Sequence, residues 1–174
     1  MQIMKNKLRL LTGVIIMFSF VTSLFSKTKE LNVGDSAPQL SAIDETGSKI
    51  NLNYNSGYTL VYFYPKADTP GCTAQACSLR DAYTDLQKIG VTVYGVSTDS
   101  PEDQKKFKLK YNLPFQLLAD TDKKVATAFG VPVNLGFTSR QAFLIKDKKI
   151  VWLDRSASTK KQAEDVLQFI KSNP

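Results

Sequence analysis

The chain has 174 residues, 43% hydrophobic and 22% charged, which suits one soluble domain with its own core and excludes a disordered chain. Its formal charge is +7, but five of the 23 basic residues and one of the 16 acidic ones fall in the first 30 positions, so the body is nearly balanced. With no histidine and two cysteines, the sequence excludes Ser-His-Asp and Cys-His nucleophile pairs, a Cys/His zinc site within one chain and a four-cysteine iron–sulfur cluster.

Lys5, Lys7 and Arg9 precede seventeen uncharged residues, Leu10 to Ser26, which include small residues at Val21-Thr22-Ser23 near their end. Basic, then apolar, then small is the order of a secretory signal. The apolar run also sits at the short limit for spanning a bilayer. A cleaved signal peptide and a retained anchor therefore both stay open for residues 1–30, with membrane contact through residues 10–26. On this reading the protein is exported, periplasmic or otherwise extracytoplasmic, and the folded domain is 31–174.

Past Leu31 the pattern is of strands and helices. Pro38–Ile43 and Lys49–Asn53 alternate around Asp44-Glu45-Thr46-Gly47, a β-hairpin signature. Tyr58–Tyr64 is a near-continuous apolar and aromatic run, the mark of a strand buried on both faces, and Pro65 ends it. A helix is predicted over about Thr73 to Lys88, with Ala76, Leu79, Tyr83 and Leu86 at helical spacing. Val91–Ser97 reads as a strand. Ser100-Pro101-Glu102-Asp103 starts a helix with a cap, a proline at the first position and an acid at the third. That helix carries Phe107, Leu109 and Tyr111. Phe115–Ala119 is a short strand, and a helix through Val125 and Phe129 closes at Gly130. Gln141–Lys146 and Lys149–Leu153 pair around Asp147-Lys148, and Thr159–Gln162 opens a last helix with Ala163, Val166, Leu167 and Ile170. The order implies an α/β domain whose sheet is largely parallel, with antiparallel edges and helices on both faces. The lysine pairs 123–124, 148–149 and 160–161 read as solvated turns and caps. No nucleic-acid motif accompanies them.

Chemistry concentrates in Pro65-Lys66-Ala67-Asp68-Thr69-Pro70-Gly71-Cys72-Thr73-Ala74-Gln75-Ala76-Cys77. A strand ends, a loop turns, and Cys72 falls in the first turn of a helix, where free N–H groups and the positive helix end favour an anion. Thiolate is the reactive form of cysteine, so this placement suits a reactive thiol. Thr69 is placed to aim its hydroxyl at the same point, and Pro65 to wall off solvent. Five residues along an intact helix put Cα atoms about 8.6 Å apart. A disulfide spans at most about 7 Å. Joining Cys72 to Cys77 therefore requires unwinding, whereas a static structural disulfide or a pair of core thiols is the plainer alternative.

The window Tyr62–Thr73, continuing to Ala76-Cys77 and Arg80-Asp81, resembles the peroxiredoxins, specifically the Q-type or bacterioferritin-comigratory-protein subgroup. The family's Pro-x-x-x-Thr-x-x-Cys pattern is met by Pro65, Thr69 and Cys72. Gly95–Asp99, Phe129–Pro132 and Arg140–Ile145 extend the likeness over the body. The resemblance implies a thioredoxin-like fold, a central mixed sheet flanked by helices with an N-terminal hairpin. It implies that Cys72 is the peroxidatic cysteine, Cys77 the resolving one, and the two a redox-active disulfide of the atypical two-cysteine kind. Thr69 would bind the peroxide together with Pro65 and Gly71, and Arg140 would support the charge on sulfur and oxygen. Substrates would be hydrogen peroxide and organic hydroperoxides, the reductant a thioredoxin-like protein, the assembly a monomer, and no metal, haem or flavin is needed. Gln75 stands where many members carry Glu, and the segment Val133–Ser139 is short.

Two other readings compete. An exported thiol–disulfide oxidoreductase of the same fold would ordinarily carry Cys-x-x-Cys, and four residues separate the cysteines here. A non-catalytic binding module held by a static disulfide would show no thiol reactivity.

Overall fold

The structure is a computed structural model, and it describes residues 30–54 and 57–173. Its elements are β1 (Ser41–Ile43), β2 (Lys49–Asn51), β3 (Tyr58–Phe63), α1 (Pro70–Asp81), α2 (Tyr83–Lys88), β4 (Val91–Ser97), α3 (Pro101–Tyr111), β5 (Gln116–Ala119), α4 (Lys124–Ala128), β6 (Val133–Asn134), β7 (Phe137–Thr138), β8 (Gln141–Lys146), β9 (Lys149–Asp154) and α5 (Gln162–Ser172). The central sheet has the order β5-β4-β3-β8-β9. β3 pairs parallel with β4 and β4 with β5, while β3/β8 and β8/β9 are antiparallel. The sheet is thus evenly mixed and not largely parallel as the element order implies, because the C-terminal β8–β9 hairpin adds antiparallel to the central strand β3.

β3 lies in the middle, and all six of its residues are buried. Strand alternation sends successive side chains to opposite faces. Tyr58, Leu60, Tyr62 and the following Tyr64 join a core with Cys72, Ala76 and Leu79 of α1, Phe107 of α3 and Val166 of α5. Val61 and Phe63 join the opposite core with Phe143, Ile145, Val125, Phe129 and the hairpin residues Ala42 and Leu52. Both faces are apolar because both are covered. One glycine is fixed by this packing: a Cβ on Gly95 of β4 would lie 2.7 Å from the Tyr62 hydroxyl and 2.8 Å from Leu117 Cδ2.

Local signals work as the sequence implies. The Ser100 hydroxyl accepts from the Asp103 amide (3.1 Å) and donates to the Asp103 carboxylate (2.8 Å), a reciprocal cap for α3. Asp147 and Lys148 both take positive φ, 50° and 63°, the geometry of a two-residue hairpin turn between β8 and β9.

Two local expectations change as well. The single helix expected over Thr73–Lys88 starts at Pro70 and breaks at Ala82, whose φ −95° and ψ 6° end α1 before α2 begins. Alanine is the best helix former, so the break comes from packing, with Leu86 buried and the Tyr83 ring against Phe115 at 5.9 Å. The segment Val133–Ser139, read from the sequence only as short, forms a small antiparallel hairpin, β6 with β7.

Candidate active site

Cys72 is the third residue of α1, buried with 1% of its surface exposed. Thr69 is the N-cap in extended conformation, and Pro70 occupies the first helical position, where its missing N–H costs nothing. The Thr69 hydroxyl donates to the Lys66 carbonyl (3.0 Å), which commits its proton and leaves the oxygen as an acceptor. Pro65 follows Tyr64, whose amide makes a bond from the end of β3 to Val96 O (3.0 Å).

The loop before α1 is pinned at several points. Asp99 accepts from the Ala67 amide (2.8 Å) and from the Ser97 hydroxyl (2.6 Å), and Gln104 Nε2 donates to that same hydroxyl (2.7 Å). The Tyr64 hydroxyl donates to Gln104 Oε1, and burial pushes the Tyr64 pKa up, keeping it a donor. Thr138 of β7 donates to the Tyr64 carbonyl (2.8 Å). Asp68, at φ 58°, accepts from Lys110 (2.7 Å) and Tyr111 (2.6 Å) at the end of α3. Hydrogen bonds from those two hold its carboxyl below the usual range. The loop is therefore set before any substrate arrives.

Arg140, just ahead of β8, reaches across to α1. Its Nη2 donates to Cys72 Sγ at 3.4 Å and its Nη1 donates to Gln75 Oε1. Gln75 is fully buried, and its Nε2 donates in turn to Oε1 of Gln162, the equally buried first residue of α5 (2.8 Å). The polarity of this chain is forced. Arginine can only donate, so Gln75 must present its oxygen to Arg140 and its amide to Gln162. Gln162 Nε2 and the Tyr62 hydroxyl are left without hydrogen-bond partners among the described residues. Such a group costs on the order of 1–3 kcal/mol. Gly71 touches the same assembly, since a Cβ there would lie 3.3 Å from Arg140 Nη2. Cys77 lies one and a half turns on, on the same unbroken α1, half-buried, and both thiols are free.

Structure thus brings together Cys72, Arg140 and Gly71, with Thr69 at the helix cap and Pro65 at the strand end. Cys77 shares the helix but not the arginine. Sequence reasoning missed Gln162 and gave Gln75 no role. Gln75 carried a signal, a polar residue three positions from Cys72 on the apolar side of a helix. Gln162, 87 residues from Gln75, carried none.

A mixed sheet of thioredoxin-like order, with a helix-borne cysteine facing a guanidinium, defines a thiol-based oxidoreductase. Residues 33–153 match the AhpC/TSA family. The chain is 42% identical over 152 residues to peroxiredoxin Bcp of Escherichia coli, covering 82% of this chain and 97% of that one. It is 36% identical to the chloroplastic peroxiredoxin Q of Populus jackii, covering 88% of this chain and 73% of the relative. Among solved structures, BcpB of Mycobacterium tuberculosis superimposes with a TM-score of 0.78 at 30% identity, over 83% of this chain and 99% of that one. PrxQ of Xylella fastidiosa gives 0.77 at 26% identity, over 83% and 98%. The chain belongs to the AhpC/TSA family, among the Bcp and Q-type peroxiredoxins, and is a thiol peroxidase.

The extracytoplasmic placement expected from the N-terminal segment is corrected by these relatives. The match takes up 97% of Bcp and leaves almost nothing there to correspond to such a segment, and the plant relatives are chloroplastic by name. Among the described residues no helix is long and apolar enough to cross a membrane. The uncharged run Leu10–Ser26 itself lies outside the described residues.

Proposed function

We propose that Cys72 is the peroxidatic cysteine and Cys77 its resolving partner in a two-cysteine cycle on hydrogen peroxide and organic hydroperoxides. The observation that carries this is the 3.4 Å contact from Arg140 Nη2 to the buried Cys72 sulfur in the first turn of α1. A guanidinium donor and a helix N-terminus together favour negative charge on sulfur and on the oxygen leaving it.

The Cys72 thiolate attacks one peroxide oxygen. The O–O bond breaks, an S–O bond forms, and the departing oxygen takes a proton to leave as water or alcohol. Sulfur is oxidised by two electrons and the peroxide reduced by two. The Cys77 thiol then displaces hydroxide from the sulfenic acid, giving the disulfide and water. An intact helix holds the two Cα atoms about 8.6 Å apart, so α1 must unwind locally for this step. A thioredoxin-like dithiol returns both cysteines to thiols by exchange. Thr69, with its proton committed to Lys66, accepts from the peroxide O–H, and Gly71 and Pro65 shape the approach.

The test mixes reduced protein with one equivalent of hydrogen peroxide and follows thiol loss and intact mass over seconds. Both thiols should vanish as one intramolecular disulfide, orders of magnitude faster than free cysteine in the same buffer. Cys72→Ser should abolish turnover. Cys77→Ser should keep the first oxidation fast and stall recycling. Full peroxidase activity in Cys72→Ser would refute the assignment.

A further inference from the structure

We infer that the N-terminus of α5 is a clamp on the stretch of α1 that must unwind, and that Gln162 and Ser78 set how fast the disulfide forms. The inference rests on the two-cysteine reading above.

Two consecutive residues of α5 bond to two residues of α1. Gln162 Oε1 accepts from Gln75 Nε2 (2.8 Å), and the Ala163 amide donates to the Ser78 hydroxyl (3.3 Å). Gln75 lies between the two cysteines, and Ser78 follows Cys77 directly. The first tether thus grips the segment between the cysteines, and the second holds the residue next to Cys77, which must move for Cys77 to reach Cys72. Neither is incidental to α5, which has no side-chain cap of its own. The Ser78 hydroxyl supplies that missing acceptor from the neighbouring helix. Gln162 is fully buried, with Nε2 left unpartnered. That arrangement persists because Gln75, oriented by Arg140, requires an acceptor at that place and not a donor.

The consequence is kinetic. A Cys72 sulfenic acid has two fates: capture by Cys77, a first-order step that waits on unwinding, or a second peroxide, which gives sulfinic acid at a rate proportional to peroxide. The clamp holds Cys72 near Arg140 for the first oxidation and slows capture. Loosening it should favour the disulfide. Gln162 and Ser78 are positioning residues, acting through Gln75 and through the helix.

The experiment uses the full chain, reduced, in rapid-quench mixing with hydrogen peroxide, with mass spectrometry separating sulfenic, disulfide and sulfinic forms. The variants are Gln162→Leu, Ser78→Ala and Gln162→Glu. The last keeps an acceptor towards Gln75 and drops the unpartnered donor. In Gln162→Leu and Ser78→Ala, conversion of sulfenic acid to disulfide should rise at least threefold. The peroxide concentration giving half sulfinic acid should rise by the same factor. Gln162→Glu should return both towards wild type. Ser78→Ala lies outside the buried amide chain and keeps the test available where Gln162→Leu folds poorly. Unchanged or slower conversion in both variants overturns the clamp while leaving the two-cysteine cycle intact. Absence of any Cys72–Cys77 disulfide in the wild type overturns the cycle and the clamp together.

Discussion

Arg140 serves two partners at once, and substitutions there separate charge from geometry. One terminal nitrogen donates to Cys72 Sγ at 3.4 Å and the other to Gln75. Lysine would keep the charge but not the fork, since an ammonium cannot hold two partners in fixed directions. Arg140→Ala should slow the first oxidation step about 100-fold, the usual effect of removing one donor to a developing negative charge. Arg140→Lys should fall between; Arg140→Ala should stay folded but melt several degrees lower, because it leaves the buried Gln75 Oε1 without its donor, and stopped-flow oxidation of the reduced protein reads the rates. The neutral amide of Gln75 matters here, because it anchors the guanidinium without cancelling its charge. Gly71 makes a gentler probe. A Cβ there would meet Arg140 Nη2 at 3.3 Å and Thr159 Cγ2 at 3.5 Å, so the guanidinium must yield by a few tenths of an ångström. Gly71→Ala should lower the same rate roughly three- to tenfold, since small displacements of a positioned group are costly. An unchanged rate would show that Arg140 has slack.

At the level of elements, the turn of the β1–β2 hairpin is built around one carboxylate. Asp44 accepts from the Thr46 amide (2.8 Å), the Thr46 hydroxyl (2.6 Å) and the Ser48 amide (3.0 Å). Burial pushes its pKa up, but these hydrogen bonds and nearby Lys108 outweigh that and hold it below the ordinary 3.8. A pKa depressed in the folded state contributes stability above the unfolded value, and that contribution is lost as pH falls through the folded one. The stability gap between wild type and Asp44→Asn should therefore be constant above about pH 5 and shrink below about pH 4 in urea titrations. The β6–β7 tip offers a second probe. Leu135 takes φ 51° while 98% exposed, a left-handed conformation without packing in return. Leu135→Asn should raise the unfolding free energy by about 0.5–1 kcal/mol with the urea m-value unchanged. These two turns also mark what a sequence discloses. Asp44-Glu45-Thr46-Gly47 announces a turn through side chains that bond their own backbone. Asn134-Leu135-Gly136-Phe137 hides one, because leucine at positive φ contradicts its own preference. The β3 run shows its two buried faces through a near-continuous apolar and aromatic sequence. The break at Ala82 does not show, because only Phe115, Leu86 and the rest of the core can overrule alanine.

Across the whole molecule, the site joins parts of the chain that no local pattern links. Pro65, Thr69, Gly71, Cys72 and Cys77 share one window, where the helix start marks Cys72 as a candidate reactive thiol and the family resemblance supplies the roles of Gly71 and Cys77. Arg140 came only through family resemblance, since an arginine beside a strand carries no physical signal of its own. Gln162 was invisible until α5 packed on α1. That packing has a thermodynamic consequence. A structural disulfide ordinarily stabilises by restricting the unfolded chain, and the gain grows with loop length. The loop between Cys72 and Cys77 is short, and closing it would unwind a helix that buries Cys72, Ala76 and Leu79 against Tyr62 and Tyr64. Exposing the equivalent of one or two such side chains costs on the order of 2–3 kcal/mol. That exceeds what a six-residue loop returns once the strain of forming it is included. Oxidation should thus destabilise this fold: the peroxide-treated protein should melt roughly 4–10 °C below the reduced form. Amide exchange should rise across residues 70–81 and stay slow in β3, β4 and β8. Linkage then requires the reduced fold to favour the dithiol, so a Cys72–Cys77 disulfide should be an oxidising one that a reductant opens readily. A higher melting temperature on oxidation would reverse that order and make the bond a structural one.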